Sequence, residues 1–232
     1  MTERIAKFIA SSGVASRRGA EDLIEQGAVA VNGTIIDTPA TLVDDDDVVT
    51  VNGQDITRPA EMELYMFNKT MNTMTTRDDP QGRKTIYDCL PDEYKHLKYV
   101  GRLDYRTTGL LLMTNDGELA RKLTLPDSKI PRVYIATVNG RDFSQLNRAR
   151  EGMVIDGVKY QPFKIDILPD KNLRVEITEG KKNEVRIVLR KCGLPVRRLH
   201  RISFGPVRLG KLRPGKIEKL QQKTIDAVLK SL

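Results

Sequence analysis

The stretch GRLDYRTTGLLLMTNDGELA, residues 101–120, places a carboxylate where chemistry is possible. Asp104 stands between Arg102 and Tyr105, in a charged, turn-like run that leads straight into the apolar residues Leu110–Met113. An unbroken apolar run of this length reads as a buried strand. Asp104 therefore sits at the edge of a core. From the residues alone two readings stay open: a turn or cap residue, a common use of Asp, or a reagent presented at a cleft by the strand that follows.

Other chemistries find little support. GPVRLGKL, residues 205–212, has the glycine spacing of a phosphate loop, but Leu212 stands where Ser or Thr would meet magnesium, and Pro206 removes an amide from the cradle. The acidic run Asp44–Asp47 lacks calcium-loop spacing and reads as a solvated turn. No dinucleotide fingerprint and no Ser-His-Asp order is present. With only Cys89, Cys192, His96 and His200, in no paired motif, a zinc site is not expected and the thiols should be reduced.

The elements that must position Asp104 can be read from periodicity and punctuation. RIAKFIASSG puts Ile5, Phe8 and Ile9 on one helical face and Gly13 just past its end. SRRGAEDLIEQG offers Ser16 as N-cap, Ala20, Leu23 and Ile24 as an apolar face, and Gly27 as the stop. VAVNGTII predicts a hairpin through Asn-Gly, and a second VNG at 51–53 marks a strand end in the same small sheet. The polar, proline-containing segment 55–63 predicts a linker. Beyond it the patterns predict strands at 63–67, 98–100, 109–114, 132–138, 163–168, 172–178 and 198–204, with helices at 116–124, 143–150, 183–192 and 224–231. Strands that outnumber helices without regular alternation argue for α+β and against a doubly wound parallel sheet.

The 232 residues suit a small domain plus a medium one, here 1–58 and 61–232. No apolar run is long enough to cross a bilayer and the N-terminus lacks a signal-peptide core, so a cytoplasmic protein without a membrane partner is expected. The net charge is +8, unevenly spread: residues 1–58 carry a balance of −5, residues 181–216 a balance of +11. Such a local excess points to a polyanion. In the first segment Arg4 and Lys7 are three apart on the first expected helix, and Arg17 and Arg18 open the second, where free amides also favour phosphate.

These residues resemble a known family. SRRGAEDLIEQGAVAVNG is similar to the small RNA-binding module of a small-subunit ribosomal protein and of many rRNA-modifying enzymes. GRLDYRTTGLLLMTNDGELA resembles the signature of bacterial rRNA pseudouridine synthases of the RsuA/RluB type. DDPQGRKTIYDCLP (78–91), RVYIATVNG (132–140), EGKKNEVRIVL (179–189) and RLHRISFGPVRLGKLRPG (198–215) resemble further family segments, in the family's order, over nearly the whole chain.

The resemblance implies a small N-terminal α/β RNA-binding domain and a mixed, mainly antiparallel synthase domain with a central cleft. It implies isomerisation of uridine in ribosomal RNA without a cofactor or metal, by a monomer acting on rRNA or on a ribosome assembly intermediate. Asp104 matches the family's essential aspartate, as nucleophile on the sugar or as base for a sugar proton. Tyr134 matches the tyrosine that stacks on the base and helps move its proton. Arg186 matches the basic residue expected to pair with Asp104. Arg83, Arg102 and Arg106 flank the expected site as RNA contacts. The segment 78–91 resembles the large-subunit branch somewhat more than the small-subunit one. Three departures, NKTMN at 68–72 for a proline-containing NKP, Ile187 for a second arginine, and EGKK for EGRN, bear on RNA contacts. The alternative is a non-catalytic ribosome- or rRNA-binding factor that keeps the fold.

Overall fold

Two Asn-Gly pairs shape the first part of the chain in the computed structural model, which describes residues 2–59 and 61–232. Met1, in the expected first domain, and Ala60, in the expected linker, lie outside the described residues. The chain divides into two units, the first made of residues 1–63 with His96–Lys98 and Asn115–Gly117, the second of the remainder.

In the first unit β1 (Glu3–Arg4) leads into α1 (Ile5–Ser11), followed by α2 (Arg17–Glu25), β2 (Val29–Val31), β3 (Thr34–Ile35), β4 (Leu42–Val43), β5 (Val49–Val51) and β6 (Gln54–Ile56). Ser16 caps α2, its Oγ accepting the Gly19 amide at 3.0 Å. Asn32 (φ 51°) with Gly33 (φ 80°), and Asn52 (φ 51°) with Gly53 (φ 74°), supply the paired positive φ angles of tight hairpin turns. The two hairpins join through β2 and β5 into a sheet ordered β3-β2-β5-β6. Ile5, Ile9, Ala20, Ile24, Val29 and Val43 fill the core between helices and sheet.

Two expectations need correction. Arg4 is not helical: β1 pairs with β4, which holds Arg4 extended as the N-cap of α1. The linker does not begin at 55, because Asp55 and Ile56 pair with β5. Arg58 is also tied in, to Glu3 and Asp45 at 2.6 Å each, with its guanidinium 5.0 Å from the Phe8 ring centre.

The second unit contains β7 (Leu64–Lys69), β8 (Lys98–Val100, its first residue counted with the other unit), β9 (Thr107–Thr114), α3 (Gly117–Thr124), β10 (Arg132–Val138), α4 (Leu146–Glu151), β11 (Met153–Ile155), β12 (Val158–Tyr160), β13 (Lys164–Leu168), β14 (Asn172–Ile177), α5 (Glu184–Lys191), β15 (Val196–Phe204), β16 (Val207–Arg208), β17 (Ile217–Lys219) and α6 (Gln222–Leu229). The large sheet runs β13-β14-β10-β15-β9-β7-β17, with β16 on β15 and β8 on β9. Only β15 and β9 run parallel along that path. The all-apolar run Leu110–Met113 lies fully buried in β9, as a strand covered on both faces should. β14, by contrast, alternates buried and half-buried residues along its length.

One irregularity decides the geometry of the site. β10 and β15 shift register between Val133 and Tyr134, so Val133 faces Ser203 while Tyr134 faces Arg201, and Ile202 is the extra residue of a bulge. Among the described residues no helix is long and apolar enough to cross a membrane, and no group of His, Cys, Asp and Glu could hold a metal ion.

Candidate active site

The loop before β9 carries Asp104 half-buried, and its backbone is pinned from two sides. Lys69, fully buried at the end of β7, donates to the carbonyls of Thr70 (3.1 Å), Asp104 (3.3 Å) and Thr107 (3.0 Å). Burial pushes the Lys69 ammonium down to about 8, against the opposing pull of Asp104. Thr75 Oγ1 donates to the Leu103 carbonyl at 2.8 Å, next to Asp104. The Asp104 carboxylate itself makes no hydrogen bond among the described residues. A fixed backbone with a free carboxylate suits a reagent better than a cap. The Thr70 departure leaves this brace intact, since Lys69 uses the Thr70 carbonyl, which proline would equally supply.

Asp104 opens into a cavity of about 610 Å³ within the second unit. Its walls come from the Asp104 loop, β10, β15 and the turn before α5. Tyr134 and Arg132 enter from β10, two apart and so on one face, while Leu199, Arg201 and Phe204 enter from β15. Strict alternation would send Arg201 and Phe204, three apart, to opposite faces. The bulge at Ile202 brings both to the cavity. Arg132 and Arg201 then lie 5.0 and 5.4 Å from the Phe204 ring centre. Arg132 is further fixed by the Thr178 carbonyl at 3.0 Å, and burial lowers its pKa. Arg201 Nε donates to the Leu110 carbonyl at 2.6 Å.

Of the sequence-derived residues, the cavity gathers Asp104, Tyr134 and the exposed Arg102. Arg186 is not in its wall. The expected ion pair with Asp104 is not formed: from α5 Arg186 donates instead to the Val196 carbonyl (3.0 Å) and the Arg106 carbonyl (2.9 Å). Burial lowers its pKa, while the charge of Asp104 acts in the opposite sense. Arg186 thus ties the start of β15 to the Asp104 loop. Arg106 is exposed outside the cavity wall. Arg83 is already partnered by Asp79, with Nε and Nη2 bonds of 3.0 and 2.7 Å, and these bonds hold the Asp79 carboxyl at about 2. In the first unit Arg17 and Arg18 are exposed at the start of α2, and Lys7 pairs with Glu3 at 3.4 Å. Sequence reasoning missed Lys69, Arg132, Glu184 and Arg201. The only signal, for Arg132 and Arg201, was a charged residue inside a strand pattern.

A basic chain with a sheet cavity that joins a free carboxylate to a buried aromatic ring has the features of an RNA enzyme that works on a single base. Residues 63–191 match the RNA pseudouridylate synthase family and residues 3–49 the S4 domain. The chain belongs to the RNA pseudouridylate synthase family, with an N-terminal S4 domain. It is 40% identical over its whole length to a protein of Aquifex aeolicus named as an uncharacterized RNA pseudouridine synthase, covering 96% of that protein. An Arabidopsis thaliana protein, provisionally named a chloroplastic ribosomal large subunit pseudouridine synthase, is 35% identical across 97% of this chain and 60% of its own length. A crystal structure described as a pseudouridylate synthase superposes with a TM-score of 0.70 at 30% identity, covering 97% of this chain and 99% of that one.

Proposed function

We propose that this protein converts a uridine of large-subunit ribosomal RNA to pseudouridine, with Asp104 as the reacting group. The observation that carries the reading is the free Asp104 carboxylate in one cavity with the Tyr134 ring, in a chain of the synthase family. The reaction is an isomerisation. The bond from C1′ to N1 breaks, the base turns, a bond from C1′ to C5 forms, and the C5 proton is lost while N1 gains one. Asp104 acts on the sugar, either by attack on C1′ or by taking a sugar proton. Tyr134 stacks on the detached base and assists removal of the C5 proton. Arg186 is a positioning residue, acting through the Arg106 carbonyl.

A stacked nucleotide cannot reach Asp104, so the target must be extruded into the cavity. Residues 1–58 recognise the RNA through Arg4, Lys7, Arg17 and Arg18, and residues 61–232 carry the chemistry, with Arg102 and Arg106 near the extruded strand. The large-subunit assignment is supported by the name of the Arabidopsis relative and by the segment 78–91. The protein works as a monomer in the cytoplasm, on rRNA whose target is still accessible during ribosome assembly.

The test is incubation with unmodified small- and large-subunit rRNA, followed by pseudouridine mapping at nucleotide resolution. Wild type should create a site in the large-subunit RNA. Asp104→Asn should lower the rate by at least about 10²-fold while keeping fold and RNA affinity. No new site in either RNA would make the chain a binding factor. Near wild-type turnover by the Asn variant would remove Asp104 from the chemistry.

A further inference from the structure

Among the described residues, four buried side-chain atoms lack a hydrogen-bond partner: Asn68 Oδ1, Thr107 Oγ1, Glu184 Oε1 and Arg201 Nη2. All but Asn68 belong to residues that line the cavity. Folded proteins satisfy nearly all such atoms, because an orphan keeps the cost of its lost water. Their concentration in one cavity is what a site shows when the missing partners arrive with the ligand.

Glu184 and Arg201 are only 3% and 2% exposed, so neither can swing out into water. Each is fixed by its other polar atoms. Glu184 Oε2 accepts the Lys181 amide at 2.9 Å, and Arg201 is held by the Leu110 carbonyl and the Phe204 ring. What remains unpaired is one acceptor and one donor, both buried in the wall of the cavity. Arg201 stands opposite Tyr134, the residue proposed to stack on the base. Thr107, three residues from Asp104, opens β9 on the sugar's side.

Resting on the uridine-isomerising reading above, we infer that Arg201 and Glu184 read the pairing edge of the extruded uracil: Arg201 Nη2 donates to a ring carbonyl and Glu184 Oε1 accepts from N3–H. The edge runs carbonyl O2, N3–H, carbonyl O4, symmetric about the line from N3 to C6. Turning the base about that line exchanges N1 with C5 and O2 with O4. A donor on one carbonyl and an acceptor on N3–H therefore meet the same pattern before and after the turn. The same two side chains serve both states. Cytosine lacks this symmetry. Its N3 has no hydrogen to give, and the turn would bring its amine against the Arg201 donor.

The experiment compares full-length protein acting on RNAs that carry uridine, 3-methyluridine or 4-thiouridine at the mapped target. The methyl group removes the N3 hydrogen, and sulfur is a poor acceptor. Wild type should bind all three RNAs equally but process 3-methyluridine at least about 100-fold more slowly than uridine, since a buried polar group left unpaired discriminates strongly. The 4-thio substrate should be slowed by about tenfold. Glu184→Ala, which removes the acceptor and makes room for the methyl, should shrink the 3-methyl discrimination by about tenfold or more, whereas Glu184→Gln, which keeps an accepting oxygen, should retain most of it. Equal wild-type rates on uridine and 3-methyluridine, or undiminished discrimination by Glu184→Ala, overturns the assignment. If that variant does not fold, the wild-type comparison still decides. Loss of conversion of uridine itself by wild type would instead overturn the uridine-isomerising reading.

Discussion

Gly109 on β9 lies directly beside Arg201 on β15, at the one parallel pairing along the path of the large sheet. Gly109 has φ 103°, and a Cβ there would stand 2.2 Å from the Arg201 carbonyl oxygen and 2.7 Å from its amide nitrogen. Gly109, Arg201 and Tyr134 thus form a row across three neighbouring strands. The close approach of β9 to β15 sets the height at which Arg201 enters the cavity.

Gly109→Ala should accordingly cost at least about 3 kcal/mol of stability, combining backbone strain with a clash that no side-chain rotation relieves. Urea denaturation followed by circular dichroism measures the loss. A midpoint within error of wild type would mean that the two strands can separate freely.

Tyr134→Phe should keep RNA affinity and lose turnover, because Phe retains a stacking face without the hydroxyl. Tyr134→Ala should lose turnover and also roughly 1–3 kcal/mol of binding. Filter binding and single-turnover conversion separate the two effects. Full activity in both variants would assign Tyr134 to packing alone.

Lys69→Met should keep the fold but loosen the Asp104 loop, since the carbonyls of Asp104 and Thr107 lose their donor. A displacement of the reacting group of about 1 Å lowers rates by as much as about 10²-fold. The variant also carries a pH signature. The folded-state pKa of Lys69, about 8, lies below its ordinary 10.5. Between those values the unfolded chain holds more protons than the native one, so native stability rises with pH. Relative to Lys69→Met, wild type should therefore gain stability from pH 8 to pH 10.5, with a ceiling of about 3 kcal/mol. A constant difference across that window would show that Lys69 binds its proton equally in the folded and the unfolded chain.

Reversing Arg17 and Arg18 to Glu should weaken rRNA binding and flatten its salt dependence. Each lost phosphate contact removes about 0.7–0.9 from the slope of log affinity against log salt. The chemical step, measured at saturating enzyme, should be unaffected. An unchanged slope would place the RNA-binding face of the first unit elsewhere.

The residues that could be read in advance are those whose meaning is local. Ser16, Gly27 and the two Asn-Gly turns mark their elements through backbone geometry alone, and β10 runs over 132–138 as its pattern predicts. Met153–Tyr160 forms a hairpin through Asp156 (φ 50°) and Gly157 (φ 78°), a turn signal present in the sequence but absent from the expected strands. Asp104 stood out because a charge bordered an apolar run. Arg201 and Lys69 did not, for the opposite reason. By composition both count as solvent-facing cations, and Arg201 adds to the basic excess of residues 181–216. In the fold they are 2% and 0% exposed. What buries them is pairing between distant strands, and no window of sequence contains it. The same holds for Arg186, whose carbonyl partners lie 10 and 80 residues away.

The bulge at Ile202 makes the site a matter of parity. Phe204 and Arg201 share the cavity because β15 holds one residue more than its partner strand over the same span. Deleting Ile202 would close the bulge into a regular ladder with Arg201 and Phe204 two apart and still on one face, whereas a residue gained or lost that no bulge absorbs would interchange inside and outside for every side chain on one flank. Within this family, the counterparts of Arg201 and Phe204 should share a cavity wherever spacing and bulge agree, three apart with the bulge or two apart without it.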